Sequence, residues 1–293
     1  MSEAYRAQRA PQRESRWIRG LGMHLTRWAG SGARTVLMLH GWLDCGESFQ
    51  CVVDELPGEF TVVAPDWRGF GRSEWPQAGY WFADYLADLD ALLDLVSPTE
   101  PVAIVGHSMG GHIASLYAGL RPRRVRSVVN IEGFGVAQTD PGQAPERLRT
   151  WLEQVKRPSA PREYPSFEQF AHAIRRRHPR IGAARAAFAA RLWGSADPSG
   201  RVRQSSDPRH RRVNPVLYRQ QETEACWRLI EAPALLLLGA ESPHGRDGED
   251  RAGAFQACVP HASRVSIASA GHMLHLEQPA AVARALAAFL AAH

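Results

Sequence analysis

The chain has 293 residues, 44% of them hydrophobic and 22% charged, with a net charge of +5. That balance excludes disorder for the chain as a whole, and at this length folding buries roughly 75% of the surface, so a large core needs no disulfide support. Apolar runs such as Ala234–Leu238 fall far short of the roughly 20 residues a membrane helix needs.

The stretch Met1–Arg16 is polar and basic and lacks an apolar segment, so no secretory signal and a cytoplasmic location are expected. Cys45, Cys51, Cys226 and Cys258 have neither CxxC nor zinc-type spacing, so reduced and mostly buried thiols are expected, with no metal and no cofactor. Arg16–Arg19 and Met23–Trp28 alternate around Gly20-Leu21-Gly22 and predict a hairpin. Thr35–Leu39, Phe60–Ala64, Val102–Val105 and Val125–Ile131 are continuous apolar runs, as strands buried on both faces of a parallel sheet should be. Between them, Tyr80–Val96 has apolar residues at helical spacing, with Asp84, Asp88, Asp90 and Asp94 mostly on the other face, and Met109–Gly119 predicts a second helix.

This alternation stops near residue 133. Pro145–Val155, Phe167–Arg177, Ala183–Leu192 and Pro215–Leu229 predict helices joined by Pro-rich linkers. Strand-like runs resume at Ala234–Leu238 and Arg264–Ala268, before an amphipathic helix over Pro279–Leu290. The expected architecture is therefore a mostly parallel, doubly wound α/β sheet with a helical cap inserted after the sixth strand. Its parts would be a core over 1–133, a cap over 134–232 and the rest of the core over 233–293.

Gly106-His107-Ser108-Met109-Gly110 lies where the run Val102–Val105 meets a helix start, the setting of a G-x-S-x-G nucleophile elbow. Ser108 is the candidate nucleophile. Leu37-Met38-Leu39-His40-Gly41-Trp42 runs from a strand into a His-Gly loop, and the backbone N–H groups of Trp42 and Met109 are the candidate oxyanion donors. His40 is read as a brace for that loop. His272, directly after the last strand-like run, is the candidate base, with His275 the lesser alternative. His107 and His112 are expected to pack or line the site, and His172, His178 and His210 to sit on the solvated lid. The imidazole needs a carboxylate. Glu132, ending an apolar strand, is preferred, and Glu241 within Gly239-Ala240-Glu241-Ser242-Pro243 is the alternative.

With these residues in place the chain resembles the α/β-hydrolase superfamily over nearly its whole length. His40-Gly41-Trp42-Leu43-Asp44, Pro65–Ser73 and Gly271-His272-Met273-Leu274-His275 resemble its serine-hydrolase-like branch in particular. Most relatives place the acid three residues after the glycine ending the later strand, where this chain has Ser242. That departure favours Glu132, at the position dehalogenase-like relatives use. Those dehalogenases and the epoxide hydrolases carry Asp at the elbow, so Ser108 argues against both chemistries. The resemblance implies structural roles for Asp66 and Arg68.

The expected function is a cofactor-independent serine hydrolase acting on a carboxylic ester through an acyl-enzyme. Two alternatives stand beside it. One is hydrolysis of a carbon–carbon bond, or perhydrolysis, with the same residues. The other is a catalytically silent binding module. Partners beyond a small-molecule ester are not expected: no nucleic acid, no membrane, and a monomer or homodimer.

The charge is unevenly placed. Residues 135–230 hold 17 Arg, Lys156 and nine acidic residues, a net +9, against −4 for the remainder. No recognition pattern for nucleic acid accompanies it. A solvated, Arg-rich lid surface is the simpler reading; a lid that draws an anionic ester toward Ser108 is the sharper one.

Overall fold

A strand covered on both faces must be apolar throughout, and the chain uses such strands to build the middle of one sheet. The structure, a computed structural model, describes residues 5–32, 34–242 and 245–293, so the first four residues and Pro243 of the stretches named above lie outside the described residues. Along the chain come β1 (Gln12–Ile18), β2 (Leu21–Trp28), β3 (Thr35–Leu39), β4 (Thr61–Pro65), β5 (Val102–His107) and β6 (Val125–Ile131). Three short strands follow, β7 (Glu163–Tyr164), β8 (Gly194–Ala196) and β9 (Val202–Gln204), and then β10 (Ala234–Gly239) and β11 (Ser263–Ile267). The eight-stranded sheet has the order β1-β2-β4-β3-β5-β6-β10-β11. The pairs from β4 to β11 are parallel, and β2 is antiparallel to both β1 and β4.

Alternation within β5 shows how the two cores form. Val102 and Ile104 face one core with the helices Phe82–Val96 and Met109–Leu120, while Ala103 and Val105 face the other with the terminal helix Pro279–Ala292. The β1–β2 hairpin turns at Arg19 and Gly20, whose φ values of 48° and 76° suit a tight two-residue turn. β2 therefore starts at Leu21, two residues before the alternation suggested.

The segment between β6 and β10 is not wholly helical. Besides the helices Ala144–Val155, Phe167–Arg177, Ala183–Trp193 and Gln220–Trp227, it holds an antiparallel sheet ordered β7-β9-β8. These strands are two or three residues long, too short for a periodic signal. The helix expected from Pro215 begins only at Gln220. The helix Gly245–Cys258 was not anticipated, because its polar, Gly-containing sequence buries little besides Ala252 and Phe255. Phe170 and Trp193 form a third core with Ile174, Ile181 and Val202, shared with Cys45, Cys51, Met273 and Leu276 from outside the segment, and Phe167 and Phe188 pack against it.

Asp88 departs from the expected polar face. It is fully buried and accepts bidentate hydrogen bonds from Arg68, both at 2.6 Å, with Arg19 at 3.0 Å. This joins the helix Phe82–Val96 to the loop after β4. Asp66, also buried, accepts from the Gly46 and Arg72 amides at 2.7 and 2.8 Å. Both are structural contacts. Removing one partner of a buried ion pair leaves the other charge uncompensated. Asp88→Ala should therefore lower unfolding free energy by about 3 kcal/mol in urea titrations; a loss below about 0.5 kcal/mol would show that water or Asp84 replaces the contact.

Candidate active site

The turn from β5 into the helix Met109–Leu120 is made possible by its glycines. A Cβ on Gly106 would lie 2.3 Å from the Gly110 carbonyl oxygen, and one on Gly110 would lie 2.2 Å from that of Leu39. Between them Ser108 is forced to φ 52°, ψ −117°, a conformation costing on the order of 1–3 kcal/mol and held only by surrounding packing. Its amide donates to the Ile131 carbonyl at 2.8 Å, so the turn is tied to the end of β6.

The end of β6 is strained in the same way. Glu132 has φ 50°, and its amide donates to Leu237 of β10 at 3.1 Å. Asn130 holds the turn: its Oδ1 accepts from the Gly133 amide at 2.6 Å, and its Nδ2 donates to the Gly133 carbonyl and to Ser115. This residue was not singled out from the sequence. Its signal is an amide side chain within the apolar run Val128–Ile131.

Three of the candidate side chains meet. Ser108 Oγ lies 3.0 Å from His272 Nε2, and His272 Nδ1 lies 2.8 Å from Glu132 Oε2. The partners fix the roles: Nδ1–H donates to the carboxylate, leaving Nε2 to accept from the hydroxyl. Glu132 is 5% exposed, and burial of a lone carboxylate would be costly. It is satisfied by the Gly239 amide on Oε1 and by Ser242 Oγ on Oε2, each at 2.8 Å. Ser242 thus supports the carboxylate that comes from β6. Glu241 is exposed and pairs with Arg180, whose Nε donates at 2.8 Å.

Trp42 and Met109 flank Ser108 on the wall of a cavity of about 990 Å³ that also takes in Glu132 and His272. The loop carrying Trp42 comes close to the elbow: a Cβ on Gly41 would be 3.1 Å from Ser108 Cβ. Met109 is the first residue of its helix, so its N–H has no partner within that helix. His40 is buried, with Nδ1 donating to the Gly41 carbonyl at 2.7 Å and Nε2 accepting from the Trp67 amide at 2.9 Å. It braces the loop.

The remaining histidines are sorted by packing. His275 is buried, 3.3 Å from Asp44, with its ring against Phe49. His107 donates through Nε2 to the His272 carbonyl at 2.7 Å, fixing the His272 backbone. Asp44, His107 and His275 bring ligand-type atoms within 4.8 Å of one another. Asp44, however, already accepts from Trp193 Nε1, the Cys45 amide and Ser48, which makes the cluster a hydrogen-bonded brace between cap and core. His112 lines the cavity. His210, expected on the solvated lid, is instead stacked on Phe70 at 3.9 Å and against Tyr80 at 3.7 Å. His172 is exposed. The four cysteines are free thiols, with Cys45 and Cys51 buried.

Comparison with known proteins bears on the family and the fold. The family model for the alpha/beta hydrolase fold matches residues 34–279. The chain belongs to the α/β hydrolase family. Among curated relatives, the chain is 36% identical over 115 residues to a serine hydrolase-like protein of Danio rerio, covering 39% of this chain and 35% of that one. It is 37% identical over 113 residues to lipase LipV of Mycobacterium tuberculosis, covering 38% and 42%. The matches thus span well under half of those relatives. Among solved structures, the thioesterase domain from the curacin biosynthetic pathway superposes with a TM-score of 0.84 at 24% identity, over 94% of this chain and 99% of that one. Among the described residues, no helix is long and apolar enough to cross a membrane.

Burial pushes His40, His112, His178 and His210 down to about 4. In the unfolded chain these rings take up protons near pH 6.5, whereas in the folded protein they stay neutral until about pH 4. The stability these rings contribute is therefore complete above pH 6.5 and is lost as pH falls toward 4. A fully buried ring such as His112 contributes about 3 kcal/mol over that range. Urea unfolding at pH 7.0 and 4.5 should show the decline, and His112→Gln should flatten it; an equal slope in the variant would count against a buried neutral ring.

Proposed function

We propose that this protein is a serine hydrolase of carboxylic esters. The observation that carries the reading is the continuous run Ser108–His272–Glu132, at 3.0 and 2.8 Å, on the wall of a large apolar-lined cavity. In this reading His272 Nε2 takes the Ser108 proton as Oγ attacks the ester carbonyl. The amides of Trp42 and Met109 hold the developing oxyanion, each contributing about 3 kcal/mol to the transition state. His272 then passes its proton to the departing alkoxide, leaving an acyl-enzyme on Ser108. A water gives a proton to His272 and its hydroxide to the acyl carbon. Collapse releases the carboxylic acid and returns the proton to Ser108. Glu132 holds the imidazole in its tautomer and stabilises the imidazolium. Residues 134–232 serve as a cap that shapes the cavity and sets substrate choice. Carbon–carbon bond hydrolysis and perhydrolysis use the same parts, so the choice among these reactions rests on which substrate the cavity accepts.

Ser108→Ala should abolish turnover of p-nitrophenyl butyrate and labelling by a fluorophosphonate probe. Activity undiminished in that variant would overturn the reading, and a wild-type protein that neither labels nor turns over would favour a silent binding module. Glu132→Gln should lower kcat by about 10³-fold, while Glu241→Gln should stay within about twofold of wild type, because an exposed ion pair contributes little. The reverse pattern would move the acid to Glu241.

A further inference from the structure

Ser108, His272 and Trp42 border two cavities. One is the apolar-lined space of about 990 Å³ described above; the other, of about 670 Å³, lies toward the cap helix Phe167–Arg177 and β9. The two differ in what their charged groups have to do. In the larger cavity Arg147 donates to the Asn214 carbonyl, Arg251 to the Gly135 carbonyl, and Arg219 pairs with Glu222. The smaller cavity is lined by Arg162, Arg176, Arg177 and Arg211. Among the described residues none of these four is paired with a carboxylate, and Arg211 reaches only the amide oxygen of Gln204. The two carboxylates on that wall are already committed, Asp44 to Trp193 and His275, and Glu163 to Arg201 and Arg203.

The guanidinia also act on one another. Burial first, and then the charges of Arg162 and Arg177, hold the Arg211 guanidinium below its ordinary value. Arg162, Arg176 and Arg177 are exposed and Arg211 is half-buried, so their mutual repulsion is screened by water, but an anion seated among them would be attracted by several cations at once. Planar guanidinia match the oxygens of carboxylates and phosphates, to which they donate in pairs.

We infer that the smaller cavity is an anion subsite, and that the substrate is an ester with an apolar portion in the larger cavity and a carboxylate or phosphate held by Arg162, Arg177 and Arg211 in the smaller. The position of the scissile bond at Ser108 rests on the serine-hydrolase reading. The subsite does not, and it is tested separately.

Two measurements decide it. The first compares kcat/KM for the p-nitrophenyl monoester of glutaric acid with that for its neutral methyl glutarate counterpart. Wild type should favour the anionic ester by about tenfold, Arg177→Gln and Arg211→Gln should each lower that ratio by about fivefold, and Arg177→Lys should restore part of it. Arg175→Gln, on the same helix but outside the cavity, should leave the ratio unchanged. The ratio should also shrink in 0.5 M NaCl, where charges are screened over a few ångströms. The second measurement titrates the protein calorimetrically with hexanoate, hexyl phosphate and hexanol and needs no turnover. Either anion should bind at least about fivefold more tightly than hexanol, and Arg177→Gln should remove that difference; the tighter of the two anions identifies the group. If neither ester is hydrolysed, the hydrolase reading fails, and the titration alone decides the subsite. Equal binding of anions and hexanol, or a preference unchanged in both arginine variants, overturns the inference.

Discussion

The close approach of two backbones governs this molecule. Gly110 sits against the Leu39 carbonyl, and Gly106 against the Gly110 carbonyl, at distances no side chain would tolerate. That contact bends β5 into its helix sharply enough to force Ser108 out of the ordinary backbone regions. The same contact draws the His40–Trp42 loop over the elbow and brings the first free amide of the helix beside it. Neighbouring strands supply what the turn lacks. The Ser108 amide is held by Ile131 and the Glu132 amide by Leu237, so the strain at each residue is met by a strand packed beside it. A parallel sheet does this well, because the carboxyl ends of adjacent strands lie side by side.

Glu132 and Ser242 show how a site tolerates an exchange of parts. The carboxylate comes from the end of β6, and the loop after β10 contributes a hydroxyl and the Gly239 amide. Both strand ends meet at the Glu132 carboxylate, since β6 and β10 are parallel neighbours in the sheet. An acid at one end and a hydrogen-bond donor at the other satisfy the same space. The proposed site therefore depends on where the two loops converge more than on which of them bears the charge.

The segment between β6 and β10 is joined to the rest of the chain by polar contacts as well as by packing. Trp193 donates to Asp44, which also faces His275 and Ser48, and Tyr80 and Arg209 meet at Asp207. His210 lies in the same seam, stacked on Phe70. These contacts fix the cap's inner wall while its Arg-rich outer surface stays hydrated, so its net charge divides into cations that are solvated, cations that are paired, and those that face Ser108 without partners.

By itself the sequence determined the buried strands of the large sheet, the G-x-S-x-G turn and the position of His272 after the last strand. Each of these depends on local pattern: buried strands are continuous runs, the elbow needs glycines two residues to either side of Ser108, and His272 follows directly on a strand. It also narrowed the acid to Glu132 or Glu241, because a carboxylate at a strand end is conspicuous. Only the tertiary structure could separate those two, since reaching Nδ1 depends on how the strand ends converge and on Arg180 holding Glu241 elsewhere. It alone revealed Asp88 as a buried ion, His210 as a stacked ring and the cap's small sheet. Partners for these groups lie far away along the chain, from Arg68 for Asp88 to Phe70 for His210, and no periodicity records such pairings. The distribution of charge was legible as a total over residues 135–230; which arginines line the cavity was decided by how the helix Phe167–Arg177 packs with Cys45, Cys51 and Met273 in the segments after β3 and β11.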